Sequence, residues 1–212
     1  MTKKLQVALD MTSSDAAFQV LEMVGSYVDI IEIGTPLIAA EGMHIMRGIR
    51  SRYPAKFIFA DTKIVDAGEV IANLVLEAGA DMISVVACTE YNTIEAAITA
   101  AHRAGKYCLV DMVAERDIPR RAKELAPLKP DYMATHIGYD IRSQNIDPID
   151  ELHKLDGVSI PKAIAGGITL ELFPAAVRSC ADIIIVGEGL YNQPDPSKAA
   201  RAMRNMILNG SC

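Results

Sequence analysis

The sequence has no basic block, no long apolar run and no closely spaced cysteine pair. Each absence removes a class of function. With no run of lysine or arginine and a net charge of −6 over 212 residues, nucleic acid and anionic membrane surfaces are disfavoured partners. A small phosphorylated ligand stays open, because it needs only a local positive site. No apolar stretch approaches the roughly 20 residues of a membrane span. The start, Met1-Thr2-Lys3-Lys4-Leu5-Gln6-Val7-Ala8-Leu9-Asp10, enters a strand almost at once, so no signal peptide is expected. Cys88, Cys108, Cys180 and Cys212 form no CxxC pair, which suggests neither a zinc site nor a disulfide framework. A reduced, cytoplasmic setting is the default. Linkers, low-complexity segments and composition shifts are also missing, so residues 1–212 are read as one domain.

Short apolar runs alternate with helical patterns. The strand candidates are Leu5–Leu9, Val28–Ile33, Phe57–Ala60, Met82–Val86, Tyr107–Val110, Tyr132–Thr135, Lys162–Ala165 and Ile183–Val186. Their near-continuous apolar character suits parallel strands covered on both faces. Helices are expected over 12–27, 41–51, 67–77, 93–103, 116–125, 148–155, 170–178 and 196–208, with Pro148 and Pro196 in first turns. Eight such units predict an α/β chain folded as a single (β/α)8 TIM barrel with parallel strands. A doubly wound open sheet is the alternative. It usually carries a glycine fingerprint after its first strand, and Leu9-Asp10-Met11-Thr12 has none.

Chemistry in such barrels gathers where the strands end. Those ends carry Asp10, Glu32, Asp61 with Lys63, Asp111 and His136. Asp61 and Lys63 stand two residues apart and so face one side of an extended chain. A plain ion pair capping the strand is the competing reading. Glu32 lies inside Ile30-Ile31-Glu32-Ile33, where a lone carboxylate is costly. Either it pairs with Lys63, or with Asp61 it binds a hard cation, for which Mg²⁺ is the natural choice. Gly166-Gly167 and Gly187-Glu188-Gly189 follow the seventh and eighth strands, where barrels often bind phosphate through backbone N–H groups. Ordinary turn glycine is the alternative. His136 is the acid–base candidate, while His44, His102 and His153 read as surface residues. Met43, Met46, Met203 and Met206 read as core.

The segment Asp61-x-Lys63-x-x-Asp66 resembles the motif of the orotidine-monophosphate decarboxylase superfamily. Leu5–Asp10, Val28–Pro36, Asp66–Glu69 and Ala165–Gly167 extend the likeness over nearly the whole chain. Within the superfamily it is similar to the 3-hexulose-6-phosphate synthase branch, whose sister is 3-keto-L-gulonate-6-phosphate decarboxylase. The synthase pattern is matched at Val110-Asp111-Met112, where the sister has Glu, and at His136-Ile137-Gly138-Tyr139-Asp140, where the sister has Arg in place of Tyr139. The tail Leu190–Pro196 is also synthase-like. Glu188 departs from the superfamily, many members of which place a phosphate-binding Arg there; phosphate contact would then rest on backbone N–H groups.

The resemblance implies an Mg²⁺-dependent aldol condensation of D-ribulose 5-phosphate with formaldehyde through an enediolate. It implies Glu32 and Asp61 as metal ligands. Lys63, His136, Asp61, Asp66 and Asp10 would be catalytic, with Thr35, Asp111, Gly166, Gly167, Gly187 and Gly189 binding substrate. It implies a homodimer in which Asp66 enters the neighbouring subunit's site. The alternatives are the sister decarboxylation and, from a different class, a non-catalytic phosphosugar-binding barrel.

Overall fold

The computed structural model describes residues 3–144 and 146–210; Met1, Thr2 and Cys212 of the sequence reading lie outside them. Eight strands alternate with helices: β1 (Lys4–Leu9), α1 (Ser14–Val24), β2 (Ile30–Ile33), α2 (Thr35–Glu41), α3 (Met43–Arg52), β3 (Phe57–Ile64), α4 (Gly68–Glu77) and β4 (Met82–Val86). There follow α5 (Tyr91–Arg103), β5 (Tyr107–Asp111), α6 (Ile118–Leu125), β6 (Tyr132–His136), α7 (Pro148–His153), β7 (Lys162–Ala165), α8 (Phe173–Arg178), β8 (Ile183–Val186), α9 (Glu188–Tyr191) and α10 (Pro196–Gly210). The strands pair in parallel in chain order and β8 returns to β1, closing a (β/α)8 TIM barrel.

Successive residues of a strand point to opposite faces. Val7, Ile31, Ile58, Ile83, Val110, Met133, Ile164 and Ile184 face the helices and build the large outer core. Ala8, Ile30, Phe59, Met82, Leu109, Ala134, Ala163 and Ile183 fill the barrel interior. Two residues beyond the inner Ile30, Phe59, Leu109 and Ala134 stand Glu32, Asp61, Asp111 and His136. Apart from the buried Gln6 of β1, the inner face is therefore apolar below and ionisable at the C-terminal rim.

At the opposite rim a repeated device fixes the strand starts. Asp29, Asp81, Asp131 and Asp182 precede the even-numbered strands. Their carboxylates accept the backbone N–H of Leu5 at 2.9 Å, Ile58 at 3.0 Å, Cys108 at 2.8 Å and Lys162 at 2.9 Å. A strand's first N–H groups lack a ladder partner on one side, and these four aspartates supply it. β2 starts at Ile30, directly after Asp29, rather than at Val28. Asp81 is further held by Arg50 and by Lys106 at 2.6 Å.

Further differences lie in the helices. The expected helix over 12–27 narrows to α1, capped by Ser13. The expected helix over 41–51 corresponds to α3, and an unexpected helix, α2, precedes it. Thr35-Pro36 starts α2, Gly42 at φ 60° breaks the chain, and α3 follows. Glu41 ends α2 by accepting the Ser14 N–H at 2.8 Å and its hydroxyl at 3.0 Å, which ties that helix end to α1. The short α9 was not expected either. His44, His102 and His153 are exposed, and Met46 and Met203 are fully buried, as read from the sequence. Cys88, Cys108 and Cys180 are free thiols. Among the described residues, no helix is long and apolar enough to cross a membrane.

Candidate active site

A cavity of about 750 Å³ opens at the C-terminal rim. Asp10, Glu32, Thr35, Asp61, Lys63, Asp111, His136, Gly166, Gly167, Gly187 and Gly189 all line it. Of the residues singled out from the sequence, only Asp66 stays outside. It is exposed in the β3–α4 connection, and its carboxylate accepts the N–H of Ala67 at 2.7 Å.

β3 continues past the expected Ala60 to Ile64 and so carries Asp61 and Lys63 within the strand. Its register against β4 shifts between Ala60 and Ile64, and Lys63 takes a left-handed φ of 44°. This irregularity is costly for a lysine and is held by specific partners. The buried Ser84 hydroxyl on β4 accepts the Lys63 N–H at 2.9 Å and donates to Asp61 Oδ1 at 2.8 Å. Thr35 donates to the Asp61 backbone oxygen at 2.7 Å and to Oδ2 at 3.1 Å.

The Lys63 ammonium bonds Asp61 Oδ2 and lies 3.5 Å from Asp111 Oδ2. The ion pair allowed from the sequence thus exists, but it faces the cavity. Burial alone lowers the Lys63 pKa; Asp61 and Asp111 outweigh it and hold the ammonium charged, above its ordinary value. Asp111 Oδ2 also meets His136 Nδ1 at 2.9 Å. Burial pulls the imidazole's pKa down, Asp111 pulls it up, and the result lies above 6.5. Burial raises the Asp111 carboxyl, but His136, Lys63 and the Val113 N–H bring it below its ordinary value.

Glu32 does not pair with Lys63. It is 6% exposed, and its Oε2 accepts from Gln6 Nε2 at 2.6 Å. Burial, then the negative charges of Asp61 and Asp10, push its pKa well above 4.5. Asp10 is raised as well, by burial and then by Asp61. Such a cluster of oxygen donors fits a hard cation. Among the described residues no group of three or more His, Cys, Asp or Glu side chains is placed to hold a metal ion by itself. A metal held by Glu32 and Asp61 would have to draw its other ligands from water or substrate, which is how Mg²⁺ commonly binds.

The glycine turns keep backbone bare at the rim. Gly166 has φ +84°, and a Cβ there would fall 2.3 Å from the Ile137 oxygen, so glycine is obligatory for packing as well as conformation. Residues that sequence reasoning missed are Ser84, Gln6 and Arg142. Ser84 and Gln6 were visible as lone polar residues in apolar strands. Arg142 sits in the 3₁₀ segment Tyr139–Gln144 and had no periodic signal.

Residues 3–203 match the family model described as Orotidine 5'-phosphate decarboxylase / HUMPS family. The chain is 36% identical to a 3-hexulose-6-phosphate synthase of Bacillus subtilis over 209 residues, covering 98% of this chain and 100% of that one. It matches the crystal structure of 3-hexulose-6-phosphate synthase from Salmonella typhimurium with TM-score 0.94 and 35% identity, covering 98% of this chain and 99% of that one. The 3-keto-L-gulonate-6-phosphate decarboxylase from Vibrio cholerae aligns with TM-score 0.88 and 28% identity over 100% of both chains. A closed eight-stranded barrel, an ionisable rim and a match spanning residues 3–203 together place this chain in the orotidine 5'-phosphate decarboxylase / HUMPS family.

Proposed function

We propose that this chain is a 3-hexulose-6-phosphate synthase, an aldehyde-lyase that reversibly joins formaldehyde to C1 of D-ribulose 5-phosphate. The observation that carries the chemistry is the sharing of Asp111 Oδ2 between the Lys63 ammonium and the His136 imidazole inside one cavity. Synthases at 35–36% identity over nearly the whole chain carry the choice of reaction.

With Nδ1 held by Asp111, His136 has Nε2 left to take a proton. That nitrogen removes a C1 proton of ribulose 5-phosphate, leaving an enediolate. Lys63, fixed between Asp61 and Asp111, supplies a permanent positive charge for the developing oxyanion. C1 then bonds to the formaldehyde carbon, and the proton held at His136 neutralises the new alkoxide. Glu32 and Asp61 would hold Mg²⁺, which when bound would supply Lewis-acid stabilisation of the enediolate's charge. The bare backbone of Gly166, Gly167, Gly187 and Gly189 receives the phosphate.

The functional unit is a homodimer. Asp66 is exposed outside its own cavity, next in sequence to the exposed Val65 (64%), and the following helix α4 exposes Val70 (67%) and Leu74 (48%). Such a patch suits a second subunit, whose site Asp66 would complete.

Solvent exchange tests the proton step. In D₂O without formaldehyde, the enzyme should wash deuterium into C1 of ribulose 5-phosphate. His136 is a base only when neutral, so the exchange rate should rise with pH through a value above 6.5. Lys63 and Asp61 also face the ring, and Asp111 raises its pKa most. Asp111→Asn should shift the profile to lower pH and slow exchange about 10²-fold. No exchange at any pH would refute the enediolate.

A further inference from the structure

The geometry points to Arg142 as the residue that binds the substrate phosphate, with Glu188 as the counter-ion that occupies its guanidinium before phosphate arrives. This rests on the phosphosugar reading of the cavity above.

Charge in the cavity leaves few alternatives. Six carboxylates line it (Asp10, Glu32, Asp61, Asp111, Asp140 and Glu188), against the permanent cations Lys63 and Arg142. Lys63 is committed to Asp61 and Asp111 on the β3–β5 side. A phosphate dianion entering at the glycine turns of β7 and β8 meets Glu188, which stands between Gly187 and Gly189. Backbone N–H groups supply partial charges but no compensating cation. Arg142 is the cation at that end. Its Nη1 donates to Glu188 Oε2 at 3.3 Å, a long contact, and its guanidinium lies 4.8 Å from the centre of the Tyr139 ring. Its Nε is buried and has no hydrogen-bond partner among the described residues. A guanidinium stacked on an aromatic face, weakly paired and with an unused N–H, is prepared to accept a bidentate anion. A plain ion pair tying the β6 and β8 connections is the competing reading. It predicts that removal of either partner changes stability and leaves phosphate affinity alone.

The test is calorimetric binding of D-ribulose 5-phosphate, D-ribulose and inorganic phosphate to the parent protein and to Arg142→Ala, Arg142→Lys and Glu188→Gln, with a melting curve for each. Arg142→Ala should weaken ribulose 5-phosphate and phosphate about 10- to 100-fold and leave D-ribulose unchanged. Arg142→Lys keeps the charge without the fork and should recover part of the loss. Glu188→Gln releases the guanidinium and should tighten both phosphates about two- to fivefold. In turnover, Arg142→Ala should raise KM with kcat within about threefold of the parent. Unchanged phosphate affinity in folded Arg142→Ala and Arg142→Lys overturns the assignment. Weaker phosphate binding by Glu188→Gln overturns the competing role of Glu188. A parent protein that binds phosphate through Arg142 yet turns over neither sugar sinks the synthase reading and leaves this one standing.

Discussion

Lys63→Ala is expected to lower kcat about 10³-fold, with a smaller change in KM. The loss has two parts. The first is the charge that meets the developing oxyanion, worth about 10²–10³ for a single well-placed donor in a water-poor site. The second is the order of the site. Lys63 is the shared cation of Asp61 and Asp111, both nearly buried. Without it Asp61 keeps Ser84 and Thr35, Asp111 keeps His136 and the Val113 N–H, and two carboxylates lose their common counter-charge. Lys63 also depresses the His136 pKa, so any residual exchange should move to higher pH. The dimer proposal adds a second readout. An Asp66→Ala variant should be similarly impaired. A mixture of the two inactive variants, refolded together, should regain activity, because a mixed dimer holds one site with both residues intact. Lys63→Ala at near-parent turnover would end its catalytic role, and no recovery on mixing would end the sharing of sites.

Glu32→Gln is expected to do two opposite things. It should abolish metal-dependent turnover, since one of two proposed metal ligands loses its charge. It should also stabilise the metal-free protein. Glu32 is a buried carboxylate with one hydrogen bond from Gln6 and two anionic neighbours. Gln at this position keeps an acceptor for Gln6 and removes the unpaired charge. A gain of about 1–2 kcal/mol corresponds to a melting temperature raised by a few degrees in a chain of this length. The sign of the pH dependence follows from the raised pKa. Ionised Glu32 is penalised in the folded state, so the parent loses stability as pH rises above 4.5 toward the raised value, and stays penalised beyond it. The advantage of Glu32→Gln should therefore grow from acid to neutral pH. Added Mg²⁺ should close the gap by stabilising the parent alone. A lower melting temperature for Glu32→Gln in chelator would contradict this picture of the carboxylate cluster.

The barrel was legible because its strands are apolar on both faces and the helices between them are periodic. Glu32, Asp61, Asp111 and His136 were legible for the same reason: each interrupts or ends an apolar run. The rest depended on contacts between residues distant in sequence. Ser84 reads as a tolerated serine in a strand until its hydroxyl is placed between Asp61 and Lys63. The left-handed φ of Lys63 has no local signature, because lysine is a poor choice for it. The extension of β3 follows from that irregularity and was lost with it. Asp29, Asp81, Asp131 and Asp182 repeat before alternate strands, yet each alone reads as a turn residue. Arg142 lies in a 3₁₀ segment, where no periodicity marks a side chain as inward, and its place becomes visible only against Glu188 and Tyr139.

The decisive measurement is a paired turnover assay in Mg²⁺ and in chelator, one arm with ribulose 5-phosphate and formaldehyde, the other with 3-keto-L-gulonate 6-phosphate. Synthase chemistry at the Lys63–Asp111–His136 site predicts formaldehyde consumption that exceeds decarboxylation and stops in chelator. Decarboxylation exceeding formaldehyde consumption, or no turnover in either arm, would contradict it.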